Sequence, residues 1–419
     1  MSKRYQQLVE ESLSTNDALS SGLRSLPDEI SSFASTQAAW RFYKNDSVTL
    51  QKLQEPLLQA AHDSVVTHCK DYGLIIHDWS RLNYRKHQSK LDKYAISHKT
   101  DVGYDLQSSL LISDQTGRPL APVAQRLVTA NGSYSTYQHN KLDDNVASHL
   151  DEVTTCIDYL QQQAFAKPLV HIIDREADSI GHIRQWQENG HLWLARAKDH
   201  TTVTFEQHTL TCPQIADRLS FKKTREVSYH GKAQWQWVAE TNIVITRKAC
   251  VRKNQKRTTV AGEPVAARLV VSRVMSDAGE TLAQWLLVTN VQGVEASEIT
   301  LWYYWRWKIE SFFKLLKSGG HNLESWQQET GLAIAKRLLV VSMACVTVWE
   351  IAATDSEEVR LLRTFLIKLS GRQMKWGMEF TNPALLAGLW VFLSMLEVME
   401  SYSLEELAVL RKTASSFFG

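Results

Sequence analysis

Cysteine is scarce in this chain, and its spacing excludes two kinds of stabilising framework. The 419 residues include five cysteines, and no two of them form a C-x2-C pair. Disulfide frameworks and structural zinc sites need closely spaced thiols, so we expect neither. Isolated thiols that stay reduced are typical of a cytoplasmic protein. The five are Cys69, Cys156, Cys212, Cys250 and Cys345.

Proline and glycine are also few, at 8 and 18 residues, and the sequence contains no internal repeat or low-complexity tract. Long flexible linkers are therefore not expected. At 419 residues the chain is still too long for one ordinary hydrophobic core. Chains of this size usually divide, so we predict two or three domains.

Long apolar runs and an excess of one charge are absent as well. The longest runs, Leu338–Trp349 and Ala384–Leu396, are about a dozen residues each, whereas a membrane helix needs about 20. We interpret both runs as buried helices and expect no membrane association. The polar N-terminus, MSKRYQQLVEES, does not have the pattern of a signal peptide. Because the formal charge is only +2, any DNA-binding surface must come from the placement of charges.

Hydrophobic patterning changes several times along the chain. Residues 1–70 have helical periodicity, and the next apolar runs predict strands that end at Asp78 and Asp174. A hairpin is predicted to turn at Asp114–Gly117. Residues 200–298 alternate as strands do, and the remainder of the chain is helical in pattern. The sequence therefore predicts a mixed α/β protein.

The segment YYWRWKIESFFKLLK contains the spacing Y-x2-R-x3-E-x6-K, formed by Tyr303, Arg306, Glu310 and Lys317. An ideal helix advances about 100° per residue, so these side chains and Lys314 would share an arc roughly 80° wide. A carboxylate among cations stays ionised and suits a divalent metal, while the cations suit phosphate oxygens. A neighbouring apolar stripe is expected to be buried and consists of Trp302, Trp305, Ile309, Phe312 and Leu316.

Each of these residues also has a plainer interpretation. An aspartate that closes an apolar strand is most often a turn former. The helix face at 303–317 also fits a solvated stripe in which Glu310 pairs with Lys314. Taken together, however, two strand-ending aspartates, Asp78 and Asp174, and a helical glutamate are the donor set of a two-metal site.

Several motifs, in order, give the chain a resemblance to a known family. The segment DREAD occupies residues 174–178 and follows the apolar run VHII. The segment GET-x3-WLLVT lies at 279–289, Arg196 follows another apolar run in LWLARAK, and WRFYKN occupies 40–45. With the Y-R-E-K spacing, these motifs resemble those of the bacterial DDE transposases of the insertion sequence four family.

The similarity covers about residues 30–350. It departs from the family after the first aspartate, where Trp79 stands in place of a small hydroxyl residue. The resemblance implies a ribonuclease H-like α/β catalytic core with an inserted β-rich subdomain at about 200–298. In that core Asp78 lies on the first strand, Asp174 on a central strand and Glu310 on a late helix.

The resemblance also implies a division into three domains. Residues 1–70 would form an N-terminal helical DNA-binding domain, and residues 71–345 the catalytic domain with its insertion. Residues 346–419 would form a C-terminal helical domain that serves dimerisation.

For function, the resemblance implies cut-and-paste transposition of an insertion sequence. Asp78, Asp174 and Glu310 would be catalytic and would hold two Mg²⁺ ions, with Mn²⁺ as a substitute. Water would nick the end of the element, and the freed 3′-OH would form a hairpin on the opposite strand. A second water would open the hairpin, and the 3′-OH would join target DNA.

The resemblance assigns DNA contacts as well. Near the cut, phosphates would be held by Tyr303, Arg306, Lys314, Lys317 and Arg196. Trp285 would be the stacking platform for a flipped base, and Arg41 and Lys44 would contact the terminal inverted repeats.

The expected partners are terminal-repeat DNA, target DNA and a second copy of the chain in a homodimeric synaptic complex. The expected location is the bacterial cytoplasm, in association with the nucleoid. An alternative that fits the same motifs is a domesticated or inactive relative, which binds DNA or inhibits transposition without cutting.

Overall fold

The computed structural model describes residues 2–14, 29–138, 142–143, 148–253 and 256–417. The helices are α1 (Ser2–Ser14), α2 (Glu29–Lys44), α3 (Leu50–His68), α4 (His149–Gln162), α5 (Ile180–Glu188), α6 (Cys212–Ala216), α7 (Ala296–Tyr304), α8 (Lys308–Leu316), α9 (Gly331–Ala353), α10 (Glu357–Ser370), α11 (Asn382–Ser401) and α12 (Leu404–Ser415). The strands are β1 (Gly73–Asn83), β2 (Tyr94–Ala95), β3 (Val102–Ser113), β4 (Pro119–Thr129), β5 (Gly132–Ser135), β6 (Leu169–Ile173), β7 (Leu192–Arg196), β8 (Thr202–Phe205), β9 (His208–Thr211), β10 (Lys222–Tyr229), β11 (Lys232–Ile245), β12 (Ala249–Lys253), β13 (Lys256–Val260), β14 (Val265–Met275) and β15 (Thr281–Thr289). Short 3-10 turns lie at Arg175–Ala177, Trp305–Trp307 and Leu323–Ser325.

A large central sheet runs through the protein in the order β5-β4-β3-β1-β6-β7-β15-β14-β11-β8-β9. β3 pairs antiparallel with both β1 and β4, whereas β6 lies parallel to both β1 and β7. The carboxyl ends of β1, β6 and β7 therefore meet at one edge of the sheet, which is the usual place for functional residues in parallel sheets. The prediction of a mixed α/β protein is confirmed.

β1 does not end at Asp78, as the apolar run suggested, but continues to Asn83. Its parallel pairing with β6 runs from Gly73 to Ile76, so the β6 side of the strand is open beyond that point. The antiparallel pairing with β3 continues as far as Asn83, opposite Gly103, and supplies the backbone hydrogen bonds that keep the strand extended. The other predicted strand end is correct, because β6 ends at Ile173.

The hairpin predicted at Asp114–Gly117 is present between β3 and β4. The strand-rich stretch 200–298 continues the same sheet: β15 pairs antiparallel with β7, and Leu287 lies opposite Arg196. These additional strands therefore continue the sheet sideways from β7, the last of the parallel strands.

Helices from both ends of the chain cover the sheet. α3 and α9 pack on β4, and α1 packs on α9 and α11. Their buried apolar side chains, such as Leu8, Leu57 and Leu338, belong to the same hydrophobic cluster as Leu111 in the sheet. The division into domains at residues 70 and 345 stays a prediction, and α9 runs across the second of these positions.

The two longest apolar runs lie in helices of different burial. Both α9 and α11 are long and apolar enough to cross a membrane by length and composition, with 83% and 33% of the apolar window buried. The interpretation as a buried helix is confirmed for α9 and is wrong for α11. α11 packs against α10, α1 and α9 but leaves Val391, Met395 and Met399 on the surface.

Candidate active site

The segment with the Y-R-E-K spacing is not one continuous α-helix, as predicted, because the 3-10 turn Trp305–Trp307 separates α7 from α8. A 3-10 turn has about three residues per turn, so it changes the angular spacing of the side chains on either side. Tyr303 and Arg306 are buried, whereas Glu310 and Lys314 are exposed. The shared arc that an ideal helix predicts is therefore split between interior and surface.

The apolar side of this segment packs against the core as predicted. Trp302, Ile309, Phe312 and Leu316 are buried, and Trp305 is partly buried.

The ring of Trp305 also lies against Gly117 in the β3–β4 turn. A Cβ atom at Gly117 would come within 2.3 Å of that ring, and its φ of +65° also favours glycine. This contact helps to fix the 3-10 turn that carries Arg306.

Asp78 lies in β1 beyond the last residue that pairs with β6, and its side chain is 15% exposed. Its Oδ1 accepts a hydrogen bond from the Trp79 amide at 2.9 Å, and its Oδ2 accepts one from Arg306 Nη1 at 2.7 Å. Burial raises the pKa of the Asp78 carboxyl, and the nearby charges of Glu310 and Asp174 raise it further, against the opposing effect of Arg306.

Asp174 follows β6 directly and caps the 3-10 turn Arg175–Ala177. Its Oδ1 accepts a hydrogen bond of 2.8 Å from the Glu176 amide. The plainer interpretation of Asp174 as a turn former is therefore confirmed, and the cap uses only one of its two carboxylate oxygens.

Glu310 is the third residue of α8 and is exposed. The structure brings Asp78, Asp174 and Glu310 near enough for the latter two to affect the pKa of the first. As the side chains stand, no three His, Cys, Asp or Glu residues in the described part of the chain converge tightly enough to hold a metal ion.

Arg196, Tyr303 and Arg306 form a contiguous polar group next to these carboxylates. Arg196 ends β7 and hydrogen-bonds the Tyr303 side chain, and the charge of Arg306 also acts on that phenol. Burial raises the pKa of Tyr303, so the hydroxyl is protonated and can donate. The buried Nε of Arg306 has no hydrogen-bond partner among the described residues, which leaves one donor of this guanidinium unused.

The two lysines of the segment differ in their surroundings. Lys314 is exposed on α8. Lys317, which follows α8, donates to the Arg81 carbonyl and lies 3.5 Å from Glu324 Oε1. Lys317 therefore joins the end of α8 to the far end of β1, and Lys314 is the more accessible of the two cations.

Trp285 lies in β15 and is partly buried. It lines a small recess together with Tyr303, Tyr304 and Trp307. Trp307 is 57% exposed, and the Arg306 guanidinium lies 5.1 Å from the centre of its ring. Sequence reasoning did not single out Trp307, because nothing in the neighbouring sequence indicates that its ring stays exposed.

The N-terminal cations are not part of this group. Arg41 is exposed on α2 and contacts Gln37 at 3.4 Å. Lys44 pairs with Glu329 at 2.9 Å and lies 3.7 Å from the centre of the Trp40 ring. Lys44 thus helps to attach α2 to the segment before α9, and Arg41 is the freer of the two predicted DNA contacts.

A further cluster that sequence reasoning missed lies beside the two aspartates. His149, the first residue of α4, stacks on Trp79 with 4.4 Å between ring centres. Its ring nitrogens lie 3.3 Å from Asp105 Oδ2 and 2.9 Å from Glu176 Oε2. Hydrogen bonds to Asp105 and Glu176 raise the pKa of His149 to about 10, so the ring is charged at neutral pH. His149 connects the residue after the first aspartate with the turn that follows the second.

No curated protein matches the chain. Among solved structures, one match is the piggyBac transposase synaptic complex with hairpin DNA. It shares 9% sequence identity at a TM-score of 0.40, over 98% of this chain and 74% of that one. This likeness is too weak to carry an argument about the site.

A family comparison is more informative. The family described as Transposase DDE domain matches residues 70–347, which is more than half of the chain and includes all three carboxylates. The chain belongs to the transposase DDE-domain family.

Proposed function

We propose that the protein is a DNA transposase of the insertion sequence four family, similar to the transposase of transposon five, and that it performs cut-and-paste transposition. The observation that carries this proposal is the environment of Asp78. The negative charges of Asp174 and Glu310 both raise the pKa of its carboxyl group. Arg306 donates a hydrogen bond to the same group. Carboxylates for divalent ions, next to cations for phosphate oxygens, are the groups that in-line phosphoryl transfer requires.

The three carboxylates fit divalent metal ions, which the family generally uses. Burial and the repulsion of Glu310 and Asp174 raise the pKa of Asp78, and a bound cation would oppose both effects. A set of oxygen donors suits Mg²⁺ and Mn²⁺. Asp78, Asp174 and Glu310 would hold two such ions, which would supply charge stabilisation and a more acidic attacking water.

The catalytic core is proposed to be ribonuclease H-like. Its support is the order β4-β3-β1-β6-β7, in which an antiparallel group is followed by parallel strands. The strands from β8 to β15 would be the insertion, since they fall between the Asp174 turn and the Glu310 helix.

In each transfer step the protein's own residues would position the reacting groups and stabilise the developing charge. Arg306, Tyr303 and Arg196 form one polar group beside the carboxylates, and this group would hold phosphate oxygens. Lys314 is accessible for a further phosphate, and Lys317 would contact DNA at the end of α8. The proposed sequence is end nicking, hairpin formation, hairpin opening and strand transfer.

Hairpin formation would use the aromatic recess beside Tyr303. A tight hairpin bends more easily when one base leaves the stack, and an aromatic ring can compensate for the lost stacking. We propose Trp285 as the platform, with the exposed ring of Trp307 beside it.

The proposed partners are terminal-repeat DNA, target DNA and a second copy of the chain. Arg41 and Lys44 would contact the repeats. The C-terminal helices are the proposed dimer surface, and its support is the exposed apolar side chains on α12, among them Leu404, Val409 and Leu410. The proposed location is the bacterial cytoplasm, at the nucleoid.

The test is cleavage of DNA that carries the repeats flanking the gene, with Mg²⁺ or Mn²⁺. Glu310→Gln should bind these ends normally and fail to cleave, because it keeps the side-chain shape and removes one negative donor. Glu295→Gln, on an exposed residue just before α7, is the matched control and should cleave as the unmodified protein does. Undiminished cleavage by Glu310→Gln would refute the metal role. Binding without cleavage by the unmodified protein would favour the inactive relative.

A further inference from the structure

A second concave site lies outside the carboxylate group. A cavity of about 550 Å³ is enclosed by the C-terminal ends of α3 and α9, the turn between β3 and β4, and the first residue of α11. It reaches the segment of the active site only through Lys308, the first residue of α8. Its polar lining consists of Thr67, His68, Gln115, Thr116, Arg118, Lys308 and Asn382.

The lining of this cavity is basic. It includes His68, Arg118 and Lys308 and no carboxylate. Arg118 Nη2 donates to Glu350 at 2.6 Å, which balances one charge, and Arg118 Nη1 lies 3.5 Å from His68 Nε2. The Nε of Arg118 is buried and has no hydrogen-bond partner among the described residues. A buried donor without an acceptor costs free energy, so this guanidinium keeps a hydrogen-bonding capacity that its contact with Glu350 does not fill.

Lys308 provides a second, independent indication. Its ammonium group forms no ion pair and no hydrogen bond within the part of the chain that the structure describes. A partly buried cation without a counter-ion is unusual in a folded protein, because long basic side chains normally extend to water or to a carboxylate.

His68 and α11 also present groups to the cavity that favour an anion. Because Nε2 of His68 accepts from Arg118, its Nδ1 carries the proton and is a donor. α11 is 20 residues long and begins at Asn382, so the positive end of its dipole lies at the cavity.

We infer that this cavity binds a phosphate group, with Lys308, Arg118 and His68 as its ligands. A DNA phosphodiester and a free phosphate share this chemistry. DNA is the favoured source, and this assignment, unlike the anion site itself, rests on the proposed function. Lys308 precedes Glu310 by two residues on α8. A phosphodiester held here would anchor DNA to the same helix that carries the third carboxylate, at a point away from the cut.

The experiment compares the unmodified protein with Lys308→Met, Lys308→Arg and the control Lys232→Met, which changes an exposed lysine. All four are first checked for folding by circular dichroism. In the first arm, inorganic phosphate is titrated at constant ionic strength against chloride, and the rise in Tm gives the affinity. In the second arm, binding of duplex DNA is measured without divalent metal over a range of salt concentrations.

Lys308→Met should weaken phosphate binding at least about tenfold, as loss of a charge-assisted hydrogen bond implies. Its DNA binding should have a salt slope smaller by ~0.9, which corresponds to one lost phosphate contact. Lys308→Arg and Lys232→Met should match the unmodified protein. Loss of phosphate binding with an unchanged DNA slope would assign the site to a free phosphate.

A Lys308→Met protein that equals the unmodified one in both arms would overturn the inference and leave the proposed function intact. A protein that binds phosphate through Lys308 but no DNA at all would instead count against the proposed function. Since divalent metal is left out, neither result depends on cleavage.

Discussion

Arg306 Nη1 donates a hydrogen bond of 2.7 Å to Asp78 Oδ2, across 228 residues of sequence. Both side chains are mostly buried, with 11% and 15% exposed. The pair joins the 3-10 turn before α8 to β1. It therefore fixes the position of Glu310, on α8, relative to Asp78. Arg306 therefore holds this geometry, and under the proposed function it would have a second task, to offer its remaining donors to phosphate.

Replacement of Arg306 by alanine should lower DNA cleavage by about 100-fold or more, which is typical when a preorganised charged donor is removed. The salt slope of DNA binding should also become smaller. Because one partner of a buried pair would be left uncompensated, the free energy of unfolding should fall by about 3 kcal/mol. Cleavage rates, DNA titrations and urea unfolding measure the three effects.

The double variant Arg306→Ala with Asp78→Asn separates the two tasks. It should recover part of the lost stability, since no unpaired carboxylate remains, and it should not recover cleavage. A single Arg306→Ala variant that cleaves at the normal rate would show that its contact with Asp78 is structural alone.

Trp285→Ala should accumulate nicked DNA and yield little hairpin, because the flipped base would lose its stacking surface. Denaturing gels of the cleavage products measure the ratio of nick to hairpin. Trp376 is fully exposed and far along the chain from the recess, so Trp376→Ala is the matched control. A normal hairpin yield from Trp285→Ala would rule out the platform.

His149 should make stability depend on pH above neutrality. Its pKa is about 10 in the folded protein against about 6.5 when unfolded, so the folded state holds the proton more tightly. The resulting stabilisation is complete below pH 6.5 and is lost as pH rises to about 10. Urea unfolding at pH 6, 8 and 10 measures this effect. Between pH 6 and pH 10, the free energy of unfolding should fall more for the unmodified protein than for His149→Gln.

The comparison of two proteins is needed because other groups titrate in the same range. Burial lowers the pKa of Lys90 to about 8, and this contribution cancels in the difference. Equal pH profiles for the two proteins would mean that His149 is not charged in the folded state.

Local patterns predicted the parts of the site that depend on neighbours in sequence. The buried run before Asp174 is β6, and the predicted turn at Asp114–Gly117 lies between β3 and β4. The apolar side of the 303–317 segment is buried because its spacing requires a hydrophobic partner. In each case the signal lies within a few residues, so the sequence alone carries it.

What could not be predicted depends on distant partners. The extension of β1 past Asp78 comes from pairing with β3, and the burial of Arg306 comes from its bond to Asp78. Lys44 pairs with Glu329, 285 residues away, and no local pattern indicates that contact. The incomplete burial of α11 likewise follows from which helices are its neighbours, and composition does not report that.

The long helix α9 has a practical consequence for how this protein is cut into fragments. The family match ends at residue 347, whereas α9 continues to Ala353 and includes Trp349, whose ring contacts Phe312 of α8 edge-on at 5.6 Å. An expression clone that stops at residue 347 would therefore remove an aromatic side chain that packs against α8. Fragments for crystallisation should extend past Ala353, so that α8 keeps its contact with Trp349.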